Sequence, residues 1–115
     1  MNADEILAEA GFESPDLETQ VADGPLQGDE QWSRIVTFTG SAEQVEAWVE
    51  ANFAEGIASR AYRDDQEIAV AQLGEGVQDK GDRLASGTHG SVAFVVVVGQ
   101  EMEPTVHVAV RRTGR

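Results

Sequence analysis

The stretch VAFVVVVGQEMEPTVHVAVRR, residues 92–112, limits the possible folds more than any other part of the chain. In its first half Val92, Phe94, Val96 and Val98 alternate with Ala93, Val95 and Val97, so a strand here is apolar on both sides. Such a strand belongs inside a sheet that is covered on both faces. The second half alternates in the ordinary way. Val106, Val108 and Val110 face one side; Thr105, His107, Ala109 and Arg111 face the other. Between them GQEME makes a short loop, and Pro104 sits at a strand start, where its missing N–H is tolerated. The two runs are predicted to form an antiparallel hairpin.

A hairpin of this composition needs partners, and the sequence supplies them. QWSRIVTFTG is rich in β-branched and aromatic residues and reads as a strand, with Trp32, Arg34, Val36 and Phe38 on one face. GSAEQVEAWVEANF follows at once. Ser41 and Gln44 make a capping box, and Val45, Trp48, Val49 and Phe53 recur at helical spacing while Glu43, Glu46 and Glu50 face away. A helix over 41–54, tightly linked to the preceding strand, must lie across one face of the sheet. Upstream, DLETQVADG alternates weakly and is predicted to be a half-buried edge strand. NADEILAEAGF reads as a short helix with Asn2 as N-cap and Gly11 as its left-handed stop. Too short to stand alone in water, it must dock or fray. The second face of the hairpin needs its own cover: this helix, the 64–73 segment or a second copy of the chain.

These elements define an α+β fold: an antiparallel sheet of four or five strands, the main helix 41–54 on one face and a short N-terminal helix. With 115 residues the chain has room for one core. The organisation expected is an N-terminal helix and linker over 1–15, then a single domain over 16–115. Residues 64–73 are read as a helix capped by Asp64, although Ile68 and Val70 also alternate as a strand would. Residues 74–90, with Gly74, Gly76, Gly81, Gly87 and Gly90, read as a long Gly-rich loop.

Charge is the strongest global feature. Against 21 Asp+Glu stand eight Lys+Arg, a formal net charge of −13. Residues 1–33 contain Asp4, Glu5, Glu9, Glu13, Asp16, Glu18, Asp23, Asp29 and Glu30 and no Lys or Arg. Nucleic acid and anionic membranes would be repelled by such a chain, whereas a basic protein would be attracted. The candidate partner-binding acidic face is Asp16, Glu18, Asp23, Asp29 and Glu30. Solubility alone would also account for the surplus acid.

Chemistry-bearing constellations are sparse. With no Cys, the chain has no disulfide, thiol nucleophile or cysteine-held zinc. The two histidines, His89 in SGTHGS and His107 on its strand, have no carboxylate at a metal-binding spacing, and for His107 a neutral imidazole on a sheet face is the ordinary reading. His89, His107 and Arg111 stand as ligand candidates, His89 because functional groups collect in Gly-flanked loops. The paired acids, among them Glu101 with Glu103, lie in polar stretches with nothing apolar to separate their pKa values. GEG and SGTHGS lack the spacing and the lysine of a phosphate loop. No cofactor, no metal and no catalytic residue is expected.

The succession of strand, TGSAEQVEAWV helix, Gly-rich segment and SGTHGSVAFVVVV…VHVAVRR hairpin, about residues 31–112, resembles small uncharacterised actinobacterial α+β proteins of secreted or lipoprotein type. The resemblance implies export and an anchor. The lipobox cysteine such an anchor needs is absent, and no functional residue carries over. Met1 is followed by neither a basic nor an apolar leader region, so the chain as written reads as cytoplasmic, and as secreted if a signal peptide was removed. No apolar run approaches a membrane span. The function expected is a small acidic non-enzymatic protein-binding domain, monomeric or homodimeric, with an immunity- or antitoxin-like role towards a basic protein as one form. The alternative is a small-ligand-binding or secreted module that uses the 74–90 loop and the sheet face bearing His107.

Overall fold

A computed structural model describes residues 2–24, 31–53 and 83–112. In chain order the elements are α1 (Ala3–Glu9), β1 (Thr19–Asp23), β2 (Trp32–Thr39), α2 (Ala42–Asn52), β3 (Arg83–His89), β4 (Val92–Val98) and β5 (Thr105–Arg112). The strands form one antiparallel sheet in the order β1-β2-β5-β4-β3. After β2 and α2 the chain re-enters the sheet at the far edge as β3. Two hairpins then work inward, so that β5 fills the central position beside β2.

The register assigns a side to every strand residue. Val36 pairs with Val108, Phe38 with Val106, Val96 with Val108 and Val98 with Val106, so these side chains share one face. Both helices lie on that face. Ile6 and Leu7 of α1 and Val45, Trp48 and Val49 of α2 enter one buried cluster with Val36, Phe38, Val96, Val98, Val106 and Val108. An aromatic group closes it: Phe12 meets Phe94 edge-on at 4.8 Å and Trp48 at 5.7 Å, and Trp48 meets Phe38 at 5.1 Å. Burying each of the larger side chains contributes about 1.5–3 kcal/mol.

The opposite face holds a second buried cluster of Leu84, Val95, Val97 and Ala109, with Ile35 packed against it. β4 is thus apolar and covered on both sides, as its sequence demands. No residue of α1 or α2 joins the second cluster. The N-terminal helix, one of the covers considered for this face, lies instead on the same face as α2, because Ile6, Leu7 and Phe12 are drawn into the larger core.

Local chemistry explains where the helices begin and end. In α2 the Gln44 N–H donates to Ser41 Oγ at 3.1 Å, and the Ser41 N–H donates to Gln44 Oε1 at 3.0 Å, a complete capping box. In α1 Asn2 Oδ1 accepts from the Glu5 N–H at 2.9 Å. Its other end is a Schellman turn. Gly11 has φ +83°, its N–H donates to Ala8 O, and the Phe12 N–H donates to Leu7 O at 2.9 Å. The linker that follows is fastened to α2 through Glu13, whose carbonyl accepts from Trp48 Nε1 at 2.8 Å and whose N–H donates to Asn52 Oδ1 at 2.8 Å. Residues 2–15 therefore pack on the domain rather than hanging from it.

The Gly-rich loop expected over 74–90 is corrected in its last part. Residues 83–89 are strand β3, paired with β4 along its length. Gly87 lies opposite Phe94, and a Cβ there would come within 2.9 Å of the ring, so this glycine makes room for an aromatic side chain. Gly90, at φ +62°, and Ser91 close the hairpin as a tight two-residue turn. Residues 74–82 and the expected helix over 64–73 lie outside the described residues.

Candidate acidic edge

β1 is the outermost strand on its side of the sheet, and it is the least buried. Gln20, Val21, Ala22 and Asp23 are all exposed, Val21 to 42%. Asp16 and Glu18 lead into it and are exposed as well. Of the five acids singled out from the sequence, Asp23 is thus in the edge strand and Asp16 and Glu18 are in the exposed segment before it; Asp29 and Glu30 lie outside the described residues. Asp23 stands opposite Arg34 in register, with its Oδ1 3.4 Å from Arg34 Nη1. The same Arg34 Nη1 donates to Ser33 O at 2.8 Å, which holds the guanidinium against the sheet. Asp23 keeps most of its side chain in solvent, 87% exposed, so its charge still faces outward.

The main chain of β1 is equally informative. The Gly24 N–H donates to Ser33 O at 3.0 Å, so Gly24 and Ser33 form a hydrogen-bonded pair. By the antiparallel alternation Ala22 with Ile35 and Gln20 with Thr37 are bonded pairs too. Thr19, Val21 and Asp23 therefore turn their N–H and C=O groups away from the sheet. The opposite edge strand, β3, has the sequence RLASGTH and carries no carboxylate.

The ligand candidates do not assemble. His89 pairs with Val92 on the helix-bearing face, and its ring lies against Gly11, where an added Cβ would meet Nδ1 at 3.0 Å. Beside it a shallow cleft of about 360 Å³ is lined by Glu9, His89, Ser91 and Arg112 among others. Arg112, rather than the expected Arg111, is the cation here, and Glu9 lies 3.8 Å from it. His107 and Arg111 alternate with the buried valines of β5 and so lie on the other face, His107 between Thr37 and Val97 in register. The two imidazoles are separated by the sheet. Among the described residues no group of three or more His, Asp or Glu could hold a metal ion.

A further cleft, about 340 Å³, runs between the 13–17 linker and α2, where Glu13 and Asp16 rim a floor formed by Leu17, Ala47 and Trp48. It extends the acidic surface from β1 towards the helix. Among the described residues no helix is long and apolar enough to cross a membrane. Set against protein-family models, curated proteins and solved structures, the chain matches none.

Sequence reasoning names the acids and the edge strand beside them, but not the register that decides which main-chain groups of that strand face outward. It places Val21, Thr19 and Arg34 on strands without showing their part in the edge. The weak alternation of DLETQVADG, with no large apolar residue besides Leu17 and Val21, is the signal that points there.

Proposed function

We propose that the protein is a small, non-enzymatic protein-binding domain whose partner is basic and meets the surface around β1. An immunity- or antitoxin-like role is one form of this. The observation that carries the reading is that exposed Asp23 ends the outer strand β1 and exposed Asp16 and Glu18 lie in the segment leading into it, whereas β3 itself contains Arg83 and no carboxylate. A chain of net charge −13 draws a cationic protein from a distance, and an asymmetric acidic edge orients it on arrival. The encounter must weaken as salt screens it.

The test is affinity purification at low and at high salt, comparing the parent chain with a variant carrying Asp16→Asn, Glu18→Gln and Asp23→Asn. A basic protein that co-elutes with the parent, is reduced by salt and is lost from the variant is the expected result. Equal recovery by the two chains, or recovery that salt does not affect, overturns the reading. A small-ligand module is the second reading, and the Glu9–His89–Arg112 cleft is its best place in the fold.

A further inference from the structure

We infer that the partner docks by strand addition: an extended, basic segment of another protein pairs with the outer edge of β1 and continues the sheet. The inference rests on the reading of β1 as the binding surface and adds how the contact is made.

Three observations lead to it. First, the outward N–H and C=O groups of Thr19, Val21 and Asp23 lie at a sheet edge, with no further strand on that side among the described residues. Exposed edges of this kind are templates for a further strand, which gains main-chain hydrogen bonds whatever its sequence. Secondly, the edge is not closed by proline or lysine, and its charge is acidic. Its centre, Val21, is an exposed β-branched residue suited to a cross-strand partner. Thirdly, its charge selects the occupant. Glu18 and Asp23 flank Val21, on opposite faces of the strand, so an added strand finds complementary neighbours when it carries an apolar residue at its centre and a base towards each end. A base opposite Asp23 would share that carboxylate with Arg34. A second copy of this chain is the poorer occupant, since each copy brings a net charge of −13 and the same acidic edge.

The probe is a short blocked peptide, threonine-rich with a central valine and a lysine near each end; its control has glutamate in place of lysine. Binding is followed by NMR and by amide hydrogen exchange on the intact chain. The lysine peptide is expected to slow exchange at the Thr19, Val21 and Asp23 amides, which the β1–β2 ladder does not use, and to leave those of Gln20 and Ala22 little changed. Val21→Pro removes the central outward donor but none of the ladder bonds, and should weaken binding about tenfold. Should that variant fold poorly, peptide N-methylation replaces it: methylation on the edge facing β1 should abolish binding, and methylation on the far edge should not.

The outcomes separate the two claims. If the Asn/Gln variant of Asp16, Glu18 and Asp23 binds weakly while Val21→Pro, or the peptide methylated on its β1-facing edge, binds normally, strand addition is wrong and the acidic surface stands. If neither change matters, both fail. Equal binding of the glutamate peptide, or a dimer of the chain that Val21→Pro disperses, overturns the basic segment as the occupant.

Discussion

β1 and β4 belong to the same sheet and share its backbone geometry, yet they are used in opposite ways. β4 is apolar on both sides, with Val96 and Val98 fully buried under the helices and Val95 and Val97 buried on the reverse. β1 has one half-buried residue, Thr19, followed by four exposed ones. The difference shows where this small domain keeps its stability and where it has material to spare. Composition already separates VAFVVVV from TQVAD, and neighbours complete the difference. β4 lies between β3 and β5 and beneath packed side chains, whereas β1 is an edge, with β2 as its one neighbour in the sheet.

The sharpest way to break the comparison is to make one change in both strands. Val96→Asp puts a carboxylate into the apolar core and should cost about 4 kcal/mol or more, a large part of the stability a domain of this size has. Val21→Asp should cost about 1 kcal/mol or less, since the new charge reaches water. Urea denaturation measures both, and similar losses would mean that β1 is not peripheral.

An intermediate effect is expected where the N-terminal helix joins the core. Gly11→Ala forces a side chain onto φ +83° and against the His89 ring, and should destabilise by about 1–2 kcal/mol. A neutral result would show that α1 contributes little to the fold, in spite of buried Ile6 and Leu7. The smallest effect on stability belongs to the edge itself. Asp23→Asn removes an exposed ion pair with Arg34 and should change the stability measured in urea by no more than about 0.5 kcal/mol. The same substitution should slow association with a basic partner, and the slowing should vanish at high salt.

The valine-rich hairpin, the capping box of α2 and the peripheral place of β1 are legible in the residues, because each rests on a local rule: period-two alternation, paired side-chain and main-chain bonds, and a lack of apolar residues. β3 is not. RLASGTH has one strongly apolar residue, Leu84, and two glycine signals lie at or near its end. In isolation those glycines say loop. In the sheet Gly87 accommodates the Phe94 ring and Gly90 turns the hairpin, so their meaning depends on a partner strand that the local sequence does not mention. Helix placement is hidden for a similar reason. The stripe of Ile6, Leu7 and Ala10 says that α1 docks, while only the aromatic group of Phe12, Trp48 and Phe94 says on which face. At the candidate site, composition gives the sign of the charge along residues 1–33. The helix read over NADEILAEAGF and the edge strand read over DLETQVADG already divide Asp4, Glu5 and Glu9 from Asp16, Glu18 and Asp23; what they leave out is the register that sets Asp23 opposite Arg34.

Amide hydrogen exchange of the free protein tests the division between an anchoring interior and an open edge most directly. The amides of Val96 and Val108 are expected to exchange only through global unfolding, and those of Thr19, Val21 and Asp23 to exchange near the rate of an unstructured chain. Protection at Val21 and Asp23 comparable to that at Val96 would show the outer edge of β1 to be already covered, and would contradict that division.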